Sequence, residues 1–409
     1  MSDSQRSSLS INPAGIFALV IVLLIIGLGI LGIVHFFSPI PVADVTKSAQ
    51  NLVLPGQFSV TFPEQAESAV GTDTFGVIAS SPDQTPIPIA SVTKIMTAYL
   101  VLKAHPLKPG EDGPSLTMTA QDVADYQFAV KNNYSLVKVT LGESLTEKQL
   151  LEGLMLPSGN NIANTLGRWV AGTDEAFVAK MNDTAKALGM TNTHYADASG
   201  ANEATVSNAV DQIKIAQAAM QDPVFREIVA MPQATLPVAG KVFNVNSMLG
   251  KHGIVGIKTG SGVKAKGCFV SATPVVNGSE KHYIIAAVLG SEKANQNLQS
   301  ALEANVRILD EARPQFKAYT LTPPANSFGK ITTPWHSQSD LQVSQSIQVF
   351  GYPGMKVSYS IKPLALKLPT APGTNVATLI IQTGKTSQTV SMQNKGQINP
   401  PGLLWKVIR

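Results

Sequence analysis

The pattern of apolar and polar positions divides the chain into three regions, beginning with an apolar run of membrane length. Residues 14–37 contain no Asp, Glu, Lys or Arg, and at about 1.5 Å per helical residue such a run can cross a hydrocarbon core about 30 Å thick. A cleaved signal peptide has a shorter apolar region and a small-x-small site, and here Pro41 stands where a small residue is required. The pattern favours an uncleaved anchor over a signal peptide. We therefore predict a cytoplasmic tail and transmembrane helix in residues 1–37, followed by a Pro- and Gly-containing linker in 38–57.

Residues 58–316 mix strand-like and helix-like stretches. The pattern predicts strands at 68–79, 256–261, 268–273 and 283–289, and helices at 92–104, 146–156, 174–188 and 292–312. The last three strands follow one another through short connections, which favours antiparallel hairpins over parallel crossovers. The prediction for this region is a mixed α/β (α+β) domain with an antiparallel sheet flanked by helices.

The pattern changes again after Pro323-Pro324, to short alternating runs without helical periodicity. Turn-forming sequences at 352–354 and 371–373 separate these runs. Residues 320–409 are therefore predicted to form a small all-β domain.

Composition and charge remove several functional classes. Of the 409 residues, 14% are charged and 44% are hydrophobic, which indicates a folded chain of about two to three domains. The net charge of +4 is small and dispersed, so no nucleic-acid partner is predicted. The single Cys268 cannot form an internal disulfide, and no H-E-x-x-H or C-x-x-C spacing occurs, so no metal or cofactor is predicted.

Ser91 and Lys94 are the first candidate catalytic pair. They lie three positions apart at the start of the predicted helix 92–104, which places both side chains on one helix face within hydrogen-bonding reach. A Lys that is desolvated and close to another cation has a lowered pKa, and its neutral amine can take the proton of a Ser hydroxyl. The alternative is a Ser N-cap followed by a surface Lys, and it would prevail if the pair stood alone.

Two further motifs follow along the chain. Ser158-Gly159-Asn160 comes after the predicted helix 146–156, and Lys258-Thr259-Gly260 lies on a predicted strand. Each could be a simple turn or strand end. Together with Ser91 and Lys94, in this order and on these elements, they form the S-x-x-K, S-x-N, K-T-G set of active-site serine penicillin-binding proteins and class A β-lactamases.

The chain resembles one family in particular, the D-alanyl-D-alanine carboxypeptidases, which are low-molecular-weight, active-site serine penicillin-binding proteins. The similarity extends beyond the three motifs to residues 90–98, 142–146, 154–160, 181–182, 188–193 and 256–260. It covers roughly residues 68–312. The resemblance implies a β-lactamase/transpeptidase-like catalytic domain in the region 58–316.

The resemblance also implies a mechanism and a location. Ser91 would attack the amide between the two D-alanines that end a peptidoglycan stem peptide, with Lys94 as general base and Ser158 passing a proton to the leaving amine. The substrate would be bound by Asn160, Lys258, Thr259, Gly260 and Ser261, and the backbone N–H groups of Ser91 and Ser261 would form the oxyanion hole. β-Lactams would acylate Ser91. The catalytic domain would lie on the cell-wall side of the membrane.

Several alternatives remain open. D,D-endopeptidases and transpeptidases share the same acyl-enzyme and differ in acceptor and groove shape, and a non-catalytic cell-wall scaffold would also keep the fold. A β-lactamase would need a carboxylate to activate the deacylating water; Asp197 is near the right sequence distance, but we predict that it caps a loop. Ser261 replaces the aromatic residue or His that is common in the family. The stretch 403–409 after Gly402 is too short for the C-terminal amphipathic anchor of many relatives.

Overall fold

The computed structural model describes residues 12–384 and 386–409. The predicted cytoplasmic tail falls in residues 1–11 and lies outside the described residues. The α-helices are α1 (Pro13–Phe37), α2 (Lys94–Ala104), α3 (Ala120–Lys131), α4 (Glu147–Met155), α5 (Asn160–Ala171), α6 (Asp174–Ala187), α7 (Ala209–Ala219), α8 (Pro223–Val229), α9 (Asn297–Ala312) and α10 (Leu403–Ile408).

The strands follow the same chain order. They are β1 (Asp44–Lys47), β2 (Asn51–Val53), β3 (Glu67–Thr72), β4 (Gly76–Ser80), β5 (Ile87–Pro88), β6 (Ser115–Thr117), β7 (Ser144–Thr146), β8 (Val206–Ser207), β9 (Gln233–Leu236), β10 (Gly240–Phe243), β11 (Ile257–Gly262), β12 (Lys266–Asn277), β13 (Glu280–Ser291), β14 (Lys317–Leu321), β15 (Gly329–Thr332), β16 (Gln338–Val343), β17 (Ile347–Gly351), β18 (Lys356–Pro363), β19 (Asn375–Thr383) and β20 (Thr386–Asn394).

The chain folds into two compact units. The α/β unit comprises Pro55–Tyr319 and Phe350–Met355. The β-rich unit comprises the chain up to Leu54 together with Thr320–Val349 and Lys356–Arg409. The β-rich unit is therefore built from both ends of the chain.

A five-stranded antiparallel sheet forms the centre of the α/β unit, in the order β11-β12-β13-β3-β4. Residues 284–289 of the central strand β13 are all buried, because helices cover both faces of the sheet. Ala286 faces α9, whereas its neighbour Ala287 faces the cluster that includes α2 and α7. Burial on both faces explains the continuous apolar run in the sequence. The predicted fold class, an antiparallel sheet flanked by helices, is confirmed.

The structure differs from the sequence pattern where one long strand was expected at 68–79. This stretch is a hairpin of β3 and β4, and the Thr72 hydroxyl accepts hydrogen bonds at the turn from the N–H groups of Thr74 (3.2 Å) and Phe75 (2.6 Å). Gly76 follows with φ +74°. The turn contains Thr72, Thr74 and Phe75, residue types that are common in strands, so the pattern did not reveal it.

Four helices of the α/β unit were not expected from the pattern, namely α3, α5, α7 and α8. Three of them start at a side-chain N-cap: Thr119 before α3, Asn208 before α7 and Asp222 before α8. Helix α5 starts at Asn160, inside the second motif. Polar first turns weaken the apolar periodicity on which a helix prediction depends.

The β-rich unit contains a seven-stranded sheet in the order β1-β15-β16-β20-β19-β18-β2. Its two edge strands, β1 and β2, come from the segment that the sequence predicts to be a linker, and this prediction is corrected here. They pair antiparallel with β15 and β18, and Leu52 and Leu54 are buried. The prolines around these short strands are typical of a linker and hide the alternation. Because only residues 48–50 separate the two edge strands, the sheet must curl until its edges meet.

One helix among the described residues is long and apolar enough to cross a membrane, α1, with a mean hydropathy of 3.2 in its most apolar window. Its C-terminal end is covered by α10. Val407 of α10 packs closely against Gly32 of α1. A Cβ added to Gly32 would lie only 2.9 Å from the Val407 Cγ1 atom. The guanidinium of Arg409 donates hydrogen bonds to the carbonyl oxygens of His35 (2.7 Å) and Ser38 (2.5 Å). Residues Leu403–Ile408 thus form a short helix that packs on α1.

Candidate active site

A tight turn places Ser91 at the start of α2. Residues Ala90–Thr93 form a 3₁₀ helix that leads directly into α2 at Lys94. Ala90 has φ +46°, a left-handed conformation that non-Gly residues rarely adopt and that is concentrated at functional sites. The Lys94 Nζ donates a hydrogen bond to the Ser91 Oγ at 2.9 Å. The contact that the sequence spacing predicts is therefore present.

Lys94 is fully buried and fixed by three oxygen atoms. Besides Ser91, its Nζ donates to the Oδ1 of Asn160 (2.7 Å) and to the carbonyl oxygen of Ser199 (2.9 Å). Burial disfavours the charged form and lowers the pKa of Lys94 well below its ordinary value. The nearby charge of Lys258 lowers this pKa further, and Asp197 opposes the shift. A neutral amine beside the hydroxyl is the state that a general base requires.

Asp197 organises the loop that supplies the Ser199 carbonyl. Its carboxylate accepts hydrogen bonds from the N–H groups of Ser199 (3.2 Å), Gly200 (3.1 Å) and Ala201 (2.9 Å). The hydroxyls of Ser199 (2.6 Å) and Thr205 (2.7 Å) donate to it as well. Because these donors all belong to its own loop, Asp197 acts as the loop cap that the sequence predicts, not as a base aimed at a water.

Two glycines let neighbouring segments approach the turn that carries Ser91. A Cβ added to Gly200, which has φ +80°, would lie 1.8 Å from the Ala90 carbonyl oxygen. A Cβ added to Gly260 would lie 2.9 Å from the Ile89 carbonyl oxygen and 3.2 Å from the Ser91 nitrogen. The loop 197–205 and the strand β11 therefore both contact the backbone at Ser91. The third motif supplied Gly260, whereas no motif in the sequence indicated Gly200.

Ser158 presents a buried hydroxyl without a partner. The residue has φ +67°, is 4% exposed, and its Oγ forms no hydrogen bond within the described residues. An unpaired buried hydroxyl costs free energy, and a catalytic role is one of the reasons for which a protein keeps such a group. Asn160, two residues later, is the first residue of α5 and points its Oδ1 at Lys94.

The third motif lies on β11, at the edge of the central sheet. Lys258 and Thr259 are buried, whereas Ser261 and Gly262 are exposed. The Lys258 Nζ donates to the Thr259 carbonyl oxygen at 3.2 Å. Burial lowers the pKa of Lys258 to about 7.

A cleft of about 490 Å³ opens at Ser91. Its walls include four residues named from the sequence or its motifs, Ala90, Ser91, Asn160 and Ser261. Sequence reasoning missed the rest of the walls, which include Asn132, Asn133, Tyr134, Ser135, Glu203 and Val263. These residues belong to connecting segments with no recognisable motif. Lys94, Ser158, Lys258 and Thr259 are buried behind the walls of this cleft.

The part of the chain that the structure describes contains neither a reactive thiol nor a group of metal-binding side chains. No three His, Cys, Asp or Glu side chains there are grouped so that they could hold a metal ion. Cys268 is buried in the sheet, and burial raises the pKa of its thiol to about 12. A thiol in this state is unreactive.

Comparison with known proteins decides the family. The family described as D-alanyl-D-alanine carboxypeptidase matches residues 59–293. The chain belongs to this family. A D-alanyl-D-alanine carboxypeptidase of Mycobacterium tuberculosis is 35% identical over 217 residues, which are 51% of this chain and 70% of the relative. The carboxypeptidase DacF of Bacillus subtilis is 26% identical over 342 residues, 80% of this chain and 84% of the relative.

Solved structures of the D-alanyl-D-alanine peptidase group share the fold. A Streptomyces DD-transpeptidase aligns with a TM-score of 0.53 and 30% identity, over 62% of this chain and 99% of that structure. Penicillin binding protein 5 of Haemophilus influenzae aligns over 84% of this chain and all of that structure, with a TM-score of 0.59 and 17% identity, a similarity of fold alone. The function predicted from the sequence, that of a serine-type D-alanyl-D-alanine carboxypeptidase, is thereby confirmed.

Proposed function

We propose that this carboxypeptidase trims the terminal D-alanine from peptidoglycan stem peptides through an acyl-enzyme on Ser91. The observation that carries the assignment is the 2.9 Å hydrogen bond between the Ser91 hydroxyl and the fully buried amine of Lys94. A Ser N-cap with a surface Lys, the alternative considered for the sequence, would leave the Lys side chain in water.

The first step is acylation. Neutral Lys94 takes the proton of the Ser91 hydroxyl while the Oγ bonds to the carbonyl carbon between the two D-alanines. Negative charge then develops on the carbonyl oxygen. The backbone N–H groups of Ser91 and Ser261 are the proposed donors for it, and the close approach of β11 to the Ser91 backbone at Gly260 supports this pairing.

Collapse of this intermediate breaks the C–N bond. The leaving D-alanine amine needs a proton, which Lys94 now carries, and we assign Ser158 to relay it. The buried Ser158 hydroxyl supports this role, because no group among the described residues of the protein takes its hydrogen bond. Water then hydrolyses the ester on Ser91, with Lys94 again available as base, and releases the shortened peptide.

The terminal carboxylate of the substrate is assigned to the third motif. Protonated Lys258 supplies positive charge, and Thr259 supplies a hydroxyl donor on the same strand. Asn160 holds the Lys94 amine through its Oδ1, which leaves its side-chain amide N–H groups for the substrate. β-Lactams carry an amide and a carboxylate in a similar arrangement, so they are proposed to acylate Ser91.

The test is covalent labelling with a fluorescent penicillin followed by a denaturing gel. The wild-type protein is expected to be labelled, whereas S91A should show no label and K94M should be labelled at least about 100-fold more slowly, the lower end of the range for loss of a general base. Ser135→Ala is the matched control, because Ser135 lines the same cleft without a catalytic assignment. Equal labelling of S91A and wild type would refute the nucleophile assignment.

Product analysis then separates the related activities. Incubation with a stem pentapeptide should release free D-alanine, and incubation with a cross-linked dimer should release it without splitting the dimer. Splitting of the cross-link would instead indicate endopeptidase activity. A relative from Pseudomonas aeruginosa, 29% identical to this chain over 233 residues, is named D-alanyl-D-alanine endopeptidase.

We further propose that α1 spans the membrane and that its C-terminal end faces the cell wall. The aromatic pair Trp335 and Trp405 (ring centroids 5.4 Å apart) and the cations Lys406 and Arg409 lie in the β-rich unit near this end. Aromatic and basic side chains are typical of a membrane–water interface. In intact cells, an external protease should digest the β-rich unit and leave residues before α1 protected. Digestion of the β-rich unit only after cell lysis would indicate the opposite topology.

A further inference from the structure

A cavity of about 530 Å³ lies in the α/β unit outside the Ser91 cleft, and we call it the Glu67 cavity. Its walls come from the segment that leads into β3, the turn after β4, Ile87 of β5 and the end of β13. Among the described residues it shares no wall residue with the cleft. Its volume is within the range of small-ligand pockets, about 300–1,000 Å³. Neither the three motifs nor the proposed mechanism uses this space.

Glu67, the first residue of β3, brings a buried carboxyl group to the cavity wall. The residue is only 7% exposed, and its Oε2 atom has no hydrogen-bond partner among the described residues. A buried polar atom without a partner costs free energy and therefore calls for an explanation. A ligand in the cavity that donates a hydrogen bond to Oε2 would remove this cost.

The charge of the cavity wall is negative. Glu64 and Asp83 line it together with Glu67, and no Lys, Arg or His does so in the part of the chain that the structure describes. The Asp83 Oδ1 accepts hydrogen bonds from the N–H (3.0 Å) and the hydroxyl (2.7 Å) of Thr85, which lower the pKa of Asp83. Asp83 is therefore ionised at neutral pH, and the wall is complementary to a positively charged ligand.

The rest of the wall favours an organic cation over a metal ion. No three acidic side chains among the described residues are grouped so that they could hold a metal ion. Apolar side chains line most of the remaining wall: Phe62, Pro63, Ala66, Pro82, Ile87 and Leu289. The Phe62 ring is half-buried, and aromatic faces attract ammonium groups. A ligand that fits this wall has an apolar stem and a cationic end.

We propose that the Glu67 cavity binds a primary ammonium group carried on a short apolar stem, with Glu67 and Asp83 as its acidic contacts. The ammonium would donate to the unpartnered Oε2 of Glu67, and the stem would pack on the apolar wall, as amphipathic cations commonly do. Because the cavity is separate from the cleft, binding there does not depend on the reaction at Ser91.

Binding of the ammonium would release a proton from Glu67. Burial, and to a smaller extent the charge of Asp83, raises the pKa of Glu67 to about 8, while a hydrogen bond from the Ala209 backbone N–H opposes the shift. The other titratable groups around Glu67 are Asp83, Glu64 and the Cys268 thiol of β12, whose pKa is raised to about 12. At pH 7 Glu67 is therefore mainly neutral, and it must lose its proton to solvent to form an ion pair with the ligand.

The experiment compares two probes of the same shape, para-fluorobenzylamine and para-fluorobenzyl alcohol. Fluorine NMR titrations with the full-length protein in a non-ionic detergent give a dissociation constant for each, with detergent alone as the blank. A hydrogen bond to a charged group strengthens binding about ten- to hundredfold, so the amine should bind at least about ten times more tightly than the alcohol at pH 8. Between pH 8 and pH 6 the amine should weaken at least about tenfold, because Glu67 becomes protonated, whereas the alcohol should not change.

Variants of the two acidic contacts locate the binding site. E67Q should weaken the amine about tenfold and remove its pH dependence, because the glutamine side chain is neutral at every pH used. D83N should weaken the amine about three- to fivefold, as expected for an exposed charge. D183N is the matched control, because Asp183 is an exposed carboxylate of α6 that does not line the cavity, and it should keep the wild-type affinity.

Equal affinity of the wild-type protein for the amine and the alcohol would overturn the proposal without relying on any variant. An amine affinity that E67Q and D83N both leave unchanged would overturn it as well, since the amine would then bind elsewhere on the protein. A dissociation constant that stays the same from pH 6 to pH 8 would contradict Glu67 as the contact. Thermal unfolding shows whether each variant is folded, and D83N alone still locates the site if E67Q is not.

Discussion

Lys94 and Lys258 are two lysines of the same site whose amines are taken out of water. Lys94 has three oxygen acceptors within 2.9 Å, and the hydrogen bond of the Lys258 Nζ goes to the carbonyl of the next residue. Burial of ammonium groups costs folding free energy. The catalytic roles proposed for the two lysines explain why the fold keeps them despite this cost.

The pKa shift of Lys258 makes this cost depend on pH. Its pKa falls from 10.5 to about 7 on folding, because the group is buried. Between these two values the unfolded chain binds a proton that the folded chain does not, so the free energy of unfolding rises with pH across this window. Below about pH 7 both states are protonated and the full cost is present.

Lys258→Met should therefore be more stable than the wild type at pH 6, by up to about 5 kcal/mol. Its advantage should decline steadily toward pH 10. Denaturant unfolding at pH 6, 8 and 9.5 measures this, with Lys264→Met as the control because Lys264 is an exposed lysine on the same hairpin. A stability gain that does not change with pH would contradict the burial of a charge as its cause.

Lys258→Met should also change the pH profile of penicillin acylation. The positive charge of Lys258 holds down the pKa of Lys94. Its removal should raise the pKa of Lys94, so the rise of acylation rate with pH should move to higher pH. A downward shift would show that Lys258 does not act on Lys94 through its charge.

Among the elements, the active site depends on three backbone segments that meet at one turn. The 3₁₀ helix that carries Ser91 has the loop 197–205 and the strand β11 in direct contact with it. Glycine makes both contacts possible because it has no Cβ. The separation of Ser91 from its partners is thus set by backbone packing and not by side chains alone.

Gly200→Ala tests this packing. The new Cβ would overlap the Ala90 carbonyl oxygen, so the loop must move and carry the Ser199 carbonyl away from Lys94. We expect penicillin acylation to fall at least about 100-fold, as for other small displacements of catalytic groups. Gly189→Ala is the matched control: Gly189 has φ +69° but nothing within 4 Å of an added Cβ.

Gly189→Ala should lose only the free energy of a strained backbone, about 1 kcal/mol, with acylation unchanged. If Gly200→Ala acylates as fast as Gly189→Ala, the close approach does not position the site.

The sequence predicted the local part of this site and missed the distant part. Ser91 and Lys94 were found because helical spacing alone brings them together. Asn160 was found through its motif, although its contact with Lys94 spans 66 positions. The Ser199 carbonyl, 105 positions from Lys94, is a backbone atom and leaves no side-chain signal. Gly200 is required because a side chain there would overlap the Ala90 carbonyl oxygen, and this contact exists only in the folded chain.

The fold was predictable to a similar degree. Long apolar strands such as β13 were found because both faces are buried, and the N-terminal run was found from its length. Strands β1 and β2 were missed because they are short and the segment that contains them is flanked by prolines. They form strands only by pairing with β15 and β18, which lie more than 280 positions away in the sequence. Such pairing is set by tertiary structure, which local patterns do not report.

For the whole molecule, the β-rich unit takes its two sheet edges from the segment between α1 and the α/β unit. Tyr359 ties this segment down from β18: its carbonyl accepts from Lys47 (2.7 Å) and its hydroxyl accepts from the Ala49 N–H (3.2 Å). The edges of a sheet that lose their partner strands are exposed to aggregation and proteolysis. The segment is therefore a structural part of the β-rich unit.

Replacing residues 44–53 by a Gly/Ser sequence of equal length should destabilise the β-rich unit. Limited proteolysis should then cut within 329–394 at least about ten times faster, because opening of the sheet becomes more frequent, while penicillin labelling persists. The control replaces residues 39–42, which precede β1. Equal resistance of both variants to protease would mean that the two edge strands contribute nothing to the sheet.

The placement of β1 and β2 makes the α/β unit an insertion within the β-rich unit. The chain enters the α/β unit at Pro55, after both edge strands are made, and returns to the β-rich unit at Thr320. A single cut near Pro55 or near Thr320 would leave the α/β unit covalently attached at the other of these two junctions. After a cut near Pro55, β1 and β2 would still be held by their hydrogen bonds to β15 and β18. Release of the α/β unit from the β-rich unit thus needs a cut at both junctions. During synthesis, β1 can pair with β15 only after some 280 further residues have been made. The seven-stranded sheet can therefore be completed only after the α/β unit has been synthesised.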